Sequence, residues 1–127
     1  MKTESYFDLL IEAAHNAPCH SIDKAIDLLH EIIDKGKNIY ICGNGGSAKT
    51  ASHFVTDWSK MRWVNRKKKL KAFCLSDNIG MLTAYANDLS YEDIFSESLK
   101  NYAEIGDLLV VVSGSGNSKN IINAVNK

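Results

Sequence analysis

The sequence predicts an α/β protein in which helices wrap a parallel β-sheet. Two observations lead to this fold class. Short apolar runs at 38–42, 70–75 and 108–112 alternate with segments whose apolar residues recur at helical spacing. The composition is that of an ordinary globular domain, with 45% apolar and 24% charged residues among 127. Strands that alternate with helices favour a parallel sheet, and this length suits one domain over residues 1–127.

The first 35 residues predict a pair of helices over 3–35. Residues 3–16 form the first helix, and Pro18 ends it. Ser21 is the expected N-cap of the second helix, and Gly36 is its expected end. The apolar stripe of this second helix consists of Ile22, Ile26, Leu29 and Ile33.

A first strand and its helix open the α/β core, which we place at 38–127. Residues 38–42 (NIYIC) predict a short apolar strand, and Ser47 is the expected cap of a helix that runs to about residue 61. Its apolar stripe should face the core and consists of Ala48, Ala51, Val55 and Trp58. The basic run 65–71 that follows is either a solvated connector or an anion-binding or interface patch.

The remaining segments continue the alternation. Residues 70–75 predict a second strand, followed by helices over 79–86 and 91–102. The β-branched run 108–112 (LLVVV) is typical of a strand covered on both faces. A helical pattern begins at residue 119, and the sequence stops within it, so we expect a chain that ends before the last strands of its fold.

Charge and cysteine usage narrow the class of protein. Fifteen basic and fifteen acidic side chains balance, which favours neither nucleic acid nor a membrane surface as partner. The three cysteines form no C-x-x-C pair, which is typical of a reducing, cytoplasmic location. Acidic residues interrupt the apolar N-terminal segment, so it does not resemble a signal peptide, and no apolar run reaches the ~20 residues of a membrane span.

Two loops carry the sequence's chemistry, and each follows a predicted strand. The first is Gly43-Asn44-Gly45-Gly46-Ser47, and the second is Ser113-Gly114-Ser115-Gly116-Asn117-Ser118. Ligands of parallel α/β sheets bind beyond the carboxyl ends of the strands. Glycines there let backbone N–H groups approach an anion, and hydroxyls add further donors. Together the loops suit one phosphate and the hydroxyls of a sugar, although each alone is also ordinary turn chemistry.

Nucleotide-binding alternatives fit the first loop less well. A Walker A loop requires glycine immediately before Lys-Thr, and Ala48 stands there. A dinucleotide fingerprint requires an acid about 20 residues beyond the glycines, and Asp77 lies too far along the chain. We therefore expect no nucleotide.

Polar side chains outside these loops offer acid–base or metal chemistry. His53 and Asp57 are four residues apart and share one face of their predicted helix. They form either a solvated polar pair or a functional pair, with Asp57 as an acid–base group or both as metal ligands. Asn87 and Asp88 follow the second strand, where they could receive sugar hydroxyls or simply end a helix.

Four segments resemble the sugar isomerase (SIS) domain proteins of the phosphoheptose isomerase group: CGNGGSA, HFVTD, YANDLSYEDIF and GDLLVVVSGSGNS. The resemblance implies a three-layer α/β/α fold that assembles as a homotetramer with sites at subunit interfaces. It also implies interconversion of sedoheptulose 7-phosphate and a mannoheptose 7-phosphate, a step toward lipopolysaccharide heptose.

Residue roles follow from the same resemblance. Ser113, Ser115 and Ser118 would hold the phosphate, with Gly114 in the same loop. Asn44, Gly45, Gly46, Ser47, Asn87 and Asp88 would contact the substrate. His53 matches a zinc ligand of the family, and Asp57 matches a glutamate that serves as catalytic base and metal ligand.

Departures from the family pattern keep a second function open. Asp57 is one methylene shorter than the family's glutamate, and Gly114 replaces a threonine or similar residue. The family's remaining Gln and His, which complete the metal site, lie in a C-terminal portion that these 127 residues do not contain. The alternative is a non-catalytic SIS module that binds phosphosugars or other proteins.

Overall fold

The computed structural model describes residues 2–65 and 69–127, with only the backbone described for 61–65. Residues 66–68 of the predicted basic run therefore lie outside the described residues. The chain divides into two compact units, Met1–His30 and Glu31–Lys127.

Two helices cover the N-terminal region, α1 (Thr3–His15) and α2 (Cys19–Asp34). The predicted cap of α2 is wrong, because the helix already begins at Cys19 and Ser21 lies inside its first turn. The carbonyl of Pro18 accepts hydrogen bonds from the N–H groups of Ser21 and Ile22. Pro18 thus stands just before the helix, where its missing N–H leaves no donor without a partner.

The second unit contains a parallel three-stranded sheet, as predicted. Its strands are β1 (Asn38–Gly43), β2 (Lys71–Cys74) and β3 (Leu108–Val112), and their order across the sheet is β2-β1-β3. In the register, Ile41 pairs with Cys74 on one side and with Val110 on the other. The carboxyl ends of β1 and β3 are therefore neighbours, and both chemistry-bearing loops begin at this edge of the sheet.

Helices cover both faces of the sheet, which gives the three-layer α/β/α arrangement. Helix α3 (Gly46–Asn65) contacts all three strands and buries Ala51. Alternate residues of β1 turn to the other face, where Tyr40 and Cys42 join a buried cluster. That cluster draws Ile94, Phe95 and Leu99 from α5 (Ile94–Tyr102), Ile121 and Ala124 from α6 (Lys119–Val125), and Leu75 after β2.

Strand β3 corrects one expectation. Its five apolar residues were expected to be covered on both faces, but all of them remain partly exposed. The reason is topological, because β3 is an edge strand of this sheet while β1, at the centre, is almost completely buried. An apolar run predicts a strand without revealing whether it lies at the edge or the centre.

The segment after β2 folds as α4 (Ile79–Asp88), a short 3₁₀ turn (Tyr91–Asp93) and then α5. The single helix predicted over 91–102 is therefore split. The Ser90 hydroxyl caps the start of the 3₁₀ turn, since it accepts from the N–H of Glu92 (3.1 Å) and donates to the Asp93 carboxylate (2.8 Å). None of the described helices is both long and apolar enough to cross a membrane.

Candidate functional site

The first loop connects β1 to α3 and is closed tightly at its start. A Cβ on Gly43 would lie 2.7 Å from the backbone carbon and oxygen of Ser47, so only glycine fits there. The Ser76 hydroxyl, just after β2, accepts from the N–H of Gly43 (3.2 Å) and donates to its carbonyl (2.9 Å). Gly45 then turns the chain with φ +53°, in the left-handed region that favours glycine.

Helix α3 begins directly on this turn. It starts at Gly46, so Ser47 is the second helical residue and not the predicted cap. The carbonyl of Gly45 accepts from the N–H groups of Ala48 (3.1 Å) and Lys49 (3.3 Å). The N–H groups of Gly46 and Ser47 precede the first hydrogen bonds of the helix, so the start of α3 presents these two donors beside the first loop.

The second loop, 113–118, is organised by its own hydroxyl groups. The Ser113 Oγ accepts from the N–H of Gly116 (3.0 Å), and the Ser115 Oγ accepts from the N–H of Asn117 (3.2 Å). Each hydroxyl keeps its own hydrogen, which is free to donate to an anion. Ser118 precedes α6 and makes no side-chain capping hydrogen bond. Residues 114–117 are exposed, so a ligand can reach the loop from solvent.

A reciprocal amide pair joins the two loops. The Asn44 Nδ2 donates to the Asn120 Oδ1 (2.9 Å), and the Asn120 Nδ2 donates back to the Asn44 Oδ1 (2.9 Å). Asn120 lies in the first turn of α6, just after the second loop, and is only 2% exposed. The Tyr91 hydroxyl donates a further hydrogen bond to the Asn44 Oδ1 (3.0 Å).

Sequence reasoning missed both Asn120 and Tyr91. The available signal was weak but present, since Asn120 is a polar residue in a helix start whose neighbours Ile121 and Ala124 face the core. Tyr91 gave no comparable signal, because a tyrosine at a helix start is equally suited to packing.

Asn87 and Asp88 are the last two residues of α4, at the helix end where the sequence placed them. The Asn87 Nδ2 donates to the Asp88 Oδ1 (2.8 Å), and both residues are exposed. Tyr91, which contacts the first loop, follows Asp88 by three residues. Asn87 and Asp88 therefore bond to each other, and Tyr91 is the residue of this segment whose side chain contacts the first loop.

His53 and Asp57 do share one face of α3, as the spacing predicted. The His53 Nε2 and the Asp57 Oδ2 are 3.3 Å apart, and the two side chains are 74% and 60% exposed. At a rise of 1.5 Å per residue, Asp57 lies about 16 Å along the helix from Gly46. Within this chain, the structure does not bring Asp57 to the first loop.

The expected zinc ligands lie together on α3. His53 and Asp57 supply two donors, whereas catalytic zinc sites use three protein ligands and structural sites four. Within the described ranges 2–65 and 69–127, no group of three or more His, Cys, Asp or Glu side chains could hold a metal ion. These two residues on their own therefore do not fit zinc.

Cys42 stands directly before the first loop but is a core residue. It is fully buried, and burial, with a smaller contribution from Cys74, raises the pKa of its thiol to about 12. A thiol with that pKa stays protonated at neutral pH and is not a nucleophile. The candidate site therefore relies on hydroxyls, amides and backbone N–H groups.

The fold and its two loops define a parallel α/β protein with its candidate site beyond the carboxyl ends of neighbouring strands. The model of the SIS domain family matches residues 5–127, and the chain belongs to that family.

The proteins that this chain resembles include several named phosphoheptose isomerase. The chain is 42% identical over 115 residues to the phosphoheptose isomerase of Shewanella denitrificans, covering 91% of this chain and 58% of the relative. It is 37% identical to that of Campylobacter concisus, covering 83% and 55% respectively. The phosphoheptose isomerase structure from Neisseria gonorrhoeae aligns with a TM-score of 0.84 at 32% identity, over 97% of this chain and 65% of that one. The chain thus spans somewhat over half the length of the curated relatives it matches.

Proposed function

We propose that the protein is an aldose–ketose isomerase for heptose 7-phosphates, interconverting sedoheptulose 7-phosphate and a glycero-manno-heptose 7-phosphate. The observation that carries the proposal is the pairing of the two loops through Asn44 and Asn120. This pairing holds a hydroxyl-rich anion loop beside a second donor-rich loop, which is the arrangement that a sugar phosphate needs. Similarity to proteins named phosphoheptose isomerase supports the same substrate class.

The phosphate belongs at the second loop in this proposal. Ser113, Ser115 and Ser118 donate their hydroxyl hydrogens to its oxygens, and hydrogen bonds to a charged group contribute about 1.5–3 kcal/mol each. Gly114 leaves open space around its Cα, so the loop can approach the phosphate closely. The sugar hydroxyls extend toward Asn44, Gly45, Gly46 and Ser47, with Asn87 and Asp88 as further partners.

Isomerisation moves one proton between C1 and C2 of the open-chain sugar. A carboxylate removes the proton from the carbon next to the carbonyl and leaves an enediolate. One proton passes from the hydroxyl oxygen to the former carbonyl oxygen, and the carboxylic acid returns the carbon proton to the neighbouring carbon. Asp57 is the proposed base. Because Asp57 lies about 16 Å along α3 from the first loop, we propose that it serves a site built with a neighbouring subunit of a homotetramer. An enzyme of phosphorylated sugars is expected in the cytoplasm.

The test is turnover of sedoheptulose 7-phosphate by the full-length gene product, followed by NMR of the sugar carbons. Asp57→Asn should lower kcat by roughly 10²–10⁴-fold, the usual contribution of a general base. Asp27→Asn, which removes an exposed carboxylate on α2, is the matched control and should keep the wild-type rate. Wild-type turnover that Asp57→Asn leaves unchanged would remove Asp57 from the mechanism, and no turnover at all would contradict the proposed activity.

Asp57 itself favours a second candidate function, a phosphosugar-binding or protein-interaction module without catalysis. Its carboxylate is one methylene shorter than the family's glutamate, and a displacement of about 1 Å in a catalytic group can cost about a hundredfold in rate. Calorimetry separates the candidates, since sugar-phosphate binding without conversion identifies a binding module. Asp57→Glu adds a sharper comparison: an isomerase should become faster, whereas a binding module should show no gain. Hexose and pentose phosphates in the same assay test the choice of sugar.

A further inference from the structure

The geometry points to Asn120 and Tyr91 as positioning residues that act through the side chain of Asn44 and set the separation of the two loops. We call these three side chains the amide network. In this inference the Asn44 side chain organises the site and keeps one N–H donor for a sugar hydroxyl, while the first loop otherwise meets a ligand through its backbone and Ser47. The kinetic part rests on the proposed isomerase function, while the structural part does not.

The hydrogen bonds of Asn44 leave its side chain little capacity for a ligand. A carboxamide has one oxygen with two lone pairs and one nitrogen with two N–H donors. The Asn44 oxygen accepts from both Asn120 and Tyr91, which fills its two lone pairs. One of its two N–H donors points to Asn120. A substrate hydroxyl that needs an acceptor therefore finds none on this side chain.

Burial makes the pairing specific. Asn120 is 2% exposed and stands next to Ile121, which belongs to the apolar cluster. A buried amide without partners costs much more free energy than a paired one gains, so any arrangement that separates Asn120 from Asn44 is disfavoured. The pair spans 76 residues of sequence and ties the end of β1 to the start of α6. It acts as a spacer of one fixed length between the two loops.

The first loop needs such a spacer because its backbone is permissive. Gly45 has φ +53°, and open space surrounds the Cα atoms of both Gly45 and Gly46. Ser76 fixes Gly43 on the β2 side. Asn44, the next residue, is then fixed on the α6 side by the amide network, so the two glycines that follow start from a defined position.

The 3₁₀ turn that carries Tyr91 is itself bonded to α6. The Lys119 Nζ contacts the Glu92 carboxylate (2.7 Å), and the Asn123 Nδ2 donates to the Glu92 carbonyl (3.0 Å). One short turn thus contacts α6 through Glu92 and the first loop through Tyr91. This second connection explains how the exposed Tyr91 hydroxyl keeps its place at Asn44.

The experiment compares variants of the full-length gene product, with and without sedoheptulose 7-phosphate. Tyr91→Phe removes one hydroxyl from an exposed ring, and Tyr102→Phe removes a matched exposed hydroxyl that contacts Met81 instead. Asn120→Ala breaks the pair, and Ser98→Ala is its control for lost stability, because the buried Ser98 hydroxyl bonds within its own helix. Asn44→Ala and the Asn44→Ala/Asn120→Ala double variant complete a double-mutant cycle.

We expect Asn120→Ala to raise KM by up to about a hundredfold, the cost of misplacing groups by about 1 Å. Tyr91→Phe should raise KM by about fivefold, as for one neutral hydrogen bond, and its kcat should change less than its KM. The KM of the double variant should be no higher than that of the more impaired single variant, because both substitutions break the same pair. Ser98→Ala should lower the melting temperature while KM stays at the wild-type value, and Tyr102→Phe should leave both unchanged.

A ligand-free measurement decides the structural part separately. The backbone ¹⁵N order parameters of Gly45 and Gly46 should be about 0.85 in the wild type, as for rigid backbone, and should fall toward about 0.6 in Asn120→Ala. They should stay at the wild-type value in Ser98→Ala. Unchanged order parameters would overturn the inference, as would additive losses in the cycle when the wild type is active. A wild type that neither binds nor converts the sugar phosphate would contradict the proposed function, and the order parameters would still decide the role of the amide network.

Discussion

The two loops of the candidate site are alike in sequence but are held in different ways. Side chains from three other segments fix the first loop, through Ser76, Asn120 and Tyr91. The second loop is held by its own serine hydroxyls, which accept hydrogen bonds from N–H groups two and three residues later. Glycine and serine thus give both loops their local chemistry, whereas only the first loop is held in place by side chains from distant segments.

The largest expected effect is a difference in stability when one methyl group is added to a glycine of each loop. Gly43→Ala places a Cβ 2.7 Å from the backbone of Ser47, so the first loop must shift, at a cost of about 3 kcal/mol in the free energy of unfolding. Gly114→Ala in the second loop meets nothing within 4 Å and should change stability by less than about 1 kcal/mol. Urea unfolding of both variants checks this, and equal losses would contradict the difference between the loops.

The second comparison concerns ligand affinity in the second loop. If the proposed site is correct, Ser115→Ala and Ser118→Ala should each weaken binding of sedoheptulose 7-phosphate by about 1.5–3 kcal/mol, because each removes a proposed donor to the charged phosphate. Ser59→Ala, an exposed serine on α3, is the control and should bind as the wild type does. Calorimetry measures the change, and unchanged affinity in both variants would place the phosphate elsewhere.

A smaller loss of stability is expected when the hydrogen bonds between Ser76 and Gly43, on the β2 side of the first loop, are removed. Ser76→Ala removes two hydrogen bonds to the backbone of Gly43 and should lower the free energy of unfolding by about 1–2 kcal/mol. Hydrogen exchange at the N–H of Gly43 should accelerate, while exchange at Gly116 should not. Equal acceleration at both would mean that the loops are not held independently.

The smallest expected effect is the pH dependence of stability, which should come from the end of the sheet where the strands begin and not from the end where the two loops lie. At the amino edge, the Asp107 carboxylate accepts from the backbone N–H of Asn38 (2.9 Å) and from that of Glu104 (3.0 Å). Burial alone would raise the pKa of Asp107, but these hydrogen bonds outweigh it and hold the pKa below its usual range. At the carboxyl edge, the Asn44–Asn120 pair carries no titratable group.

A lowered carboxyl pKa in the folded state stabilises the fold above the unfolded value of about 3.9, and that stability is lost as the pH falls through the folded pKa. Asp107→Asn should therefore lose stability at neutral pH, and as the pH falls below about 4 its free energy of unfolding should drop less steeply than that of the wild type. Denaturant unfolding at several pH values measures the slopes. Parallel slopes for variant and wild type would show that Asp107 does not link folding to pH.

Much of the fold could be predicted because its signals are local. The periodicity of 48–58 and the apolar runs of β1, β2 and β3 identified the main elements, and their alternation indicated a parallel sheet. Capping was less predictable. Ser21 and Ser47 are good cap residues by type, but Pro18 and Gly45 start the two helices through backbone geometry. Side-chain preference was outweighed by backbone conformation.

The candidate site was predictable only in part. Glycine and serine mark the two loops, and the strand order makes their edges neighbours. The partner of Asn44 lies 76 residues away, and no local pattern selects Asn120 over the other polar residues of α6. Spacing correctly paired His53 with Asp57, but it could not show that Asp57 lies about 16 Å along α3 from the first loop.

By itself, the sequence determined the α/β class, the positions of the two loops and the resemblance to the SIS domain family. These depend on short-range periodicity and on residue types whose conformational preferences are local. Only the tertiary structure decided which side chains form hydrogen bonds with Asn44. It also decided that β3 is a partly exposed edge strand and that Cys42 is a buried, unreactive thiol. The physical reason is that burial and long-range hydrogen bonds arise when distant segments pack, and a linear pattern does not specify that packing.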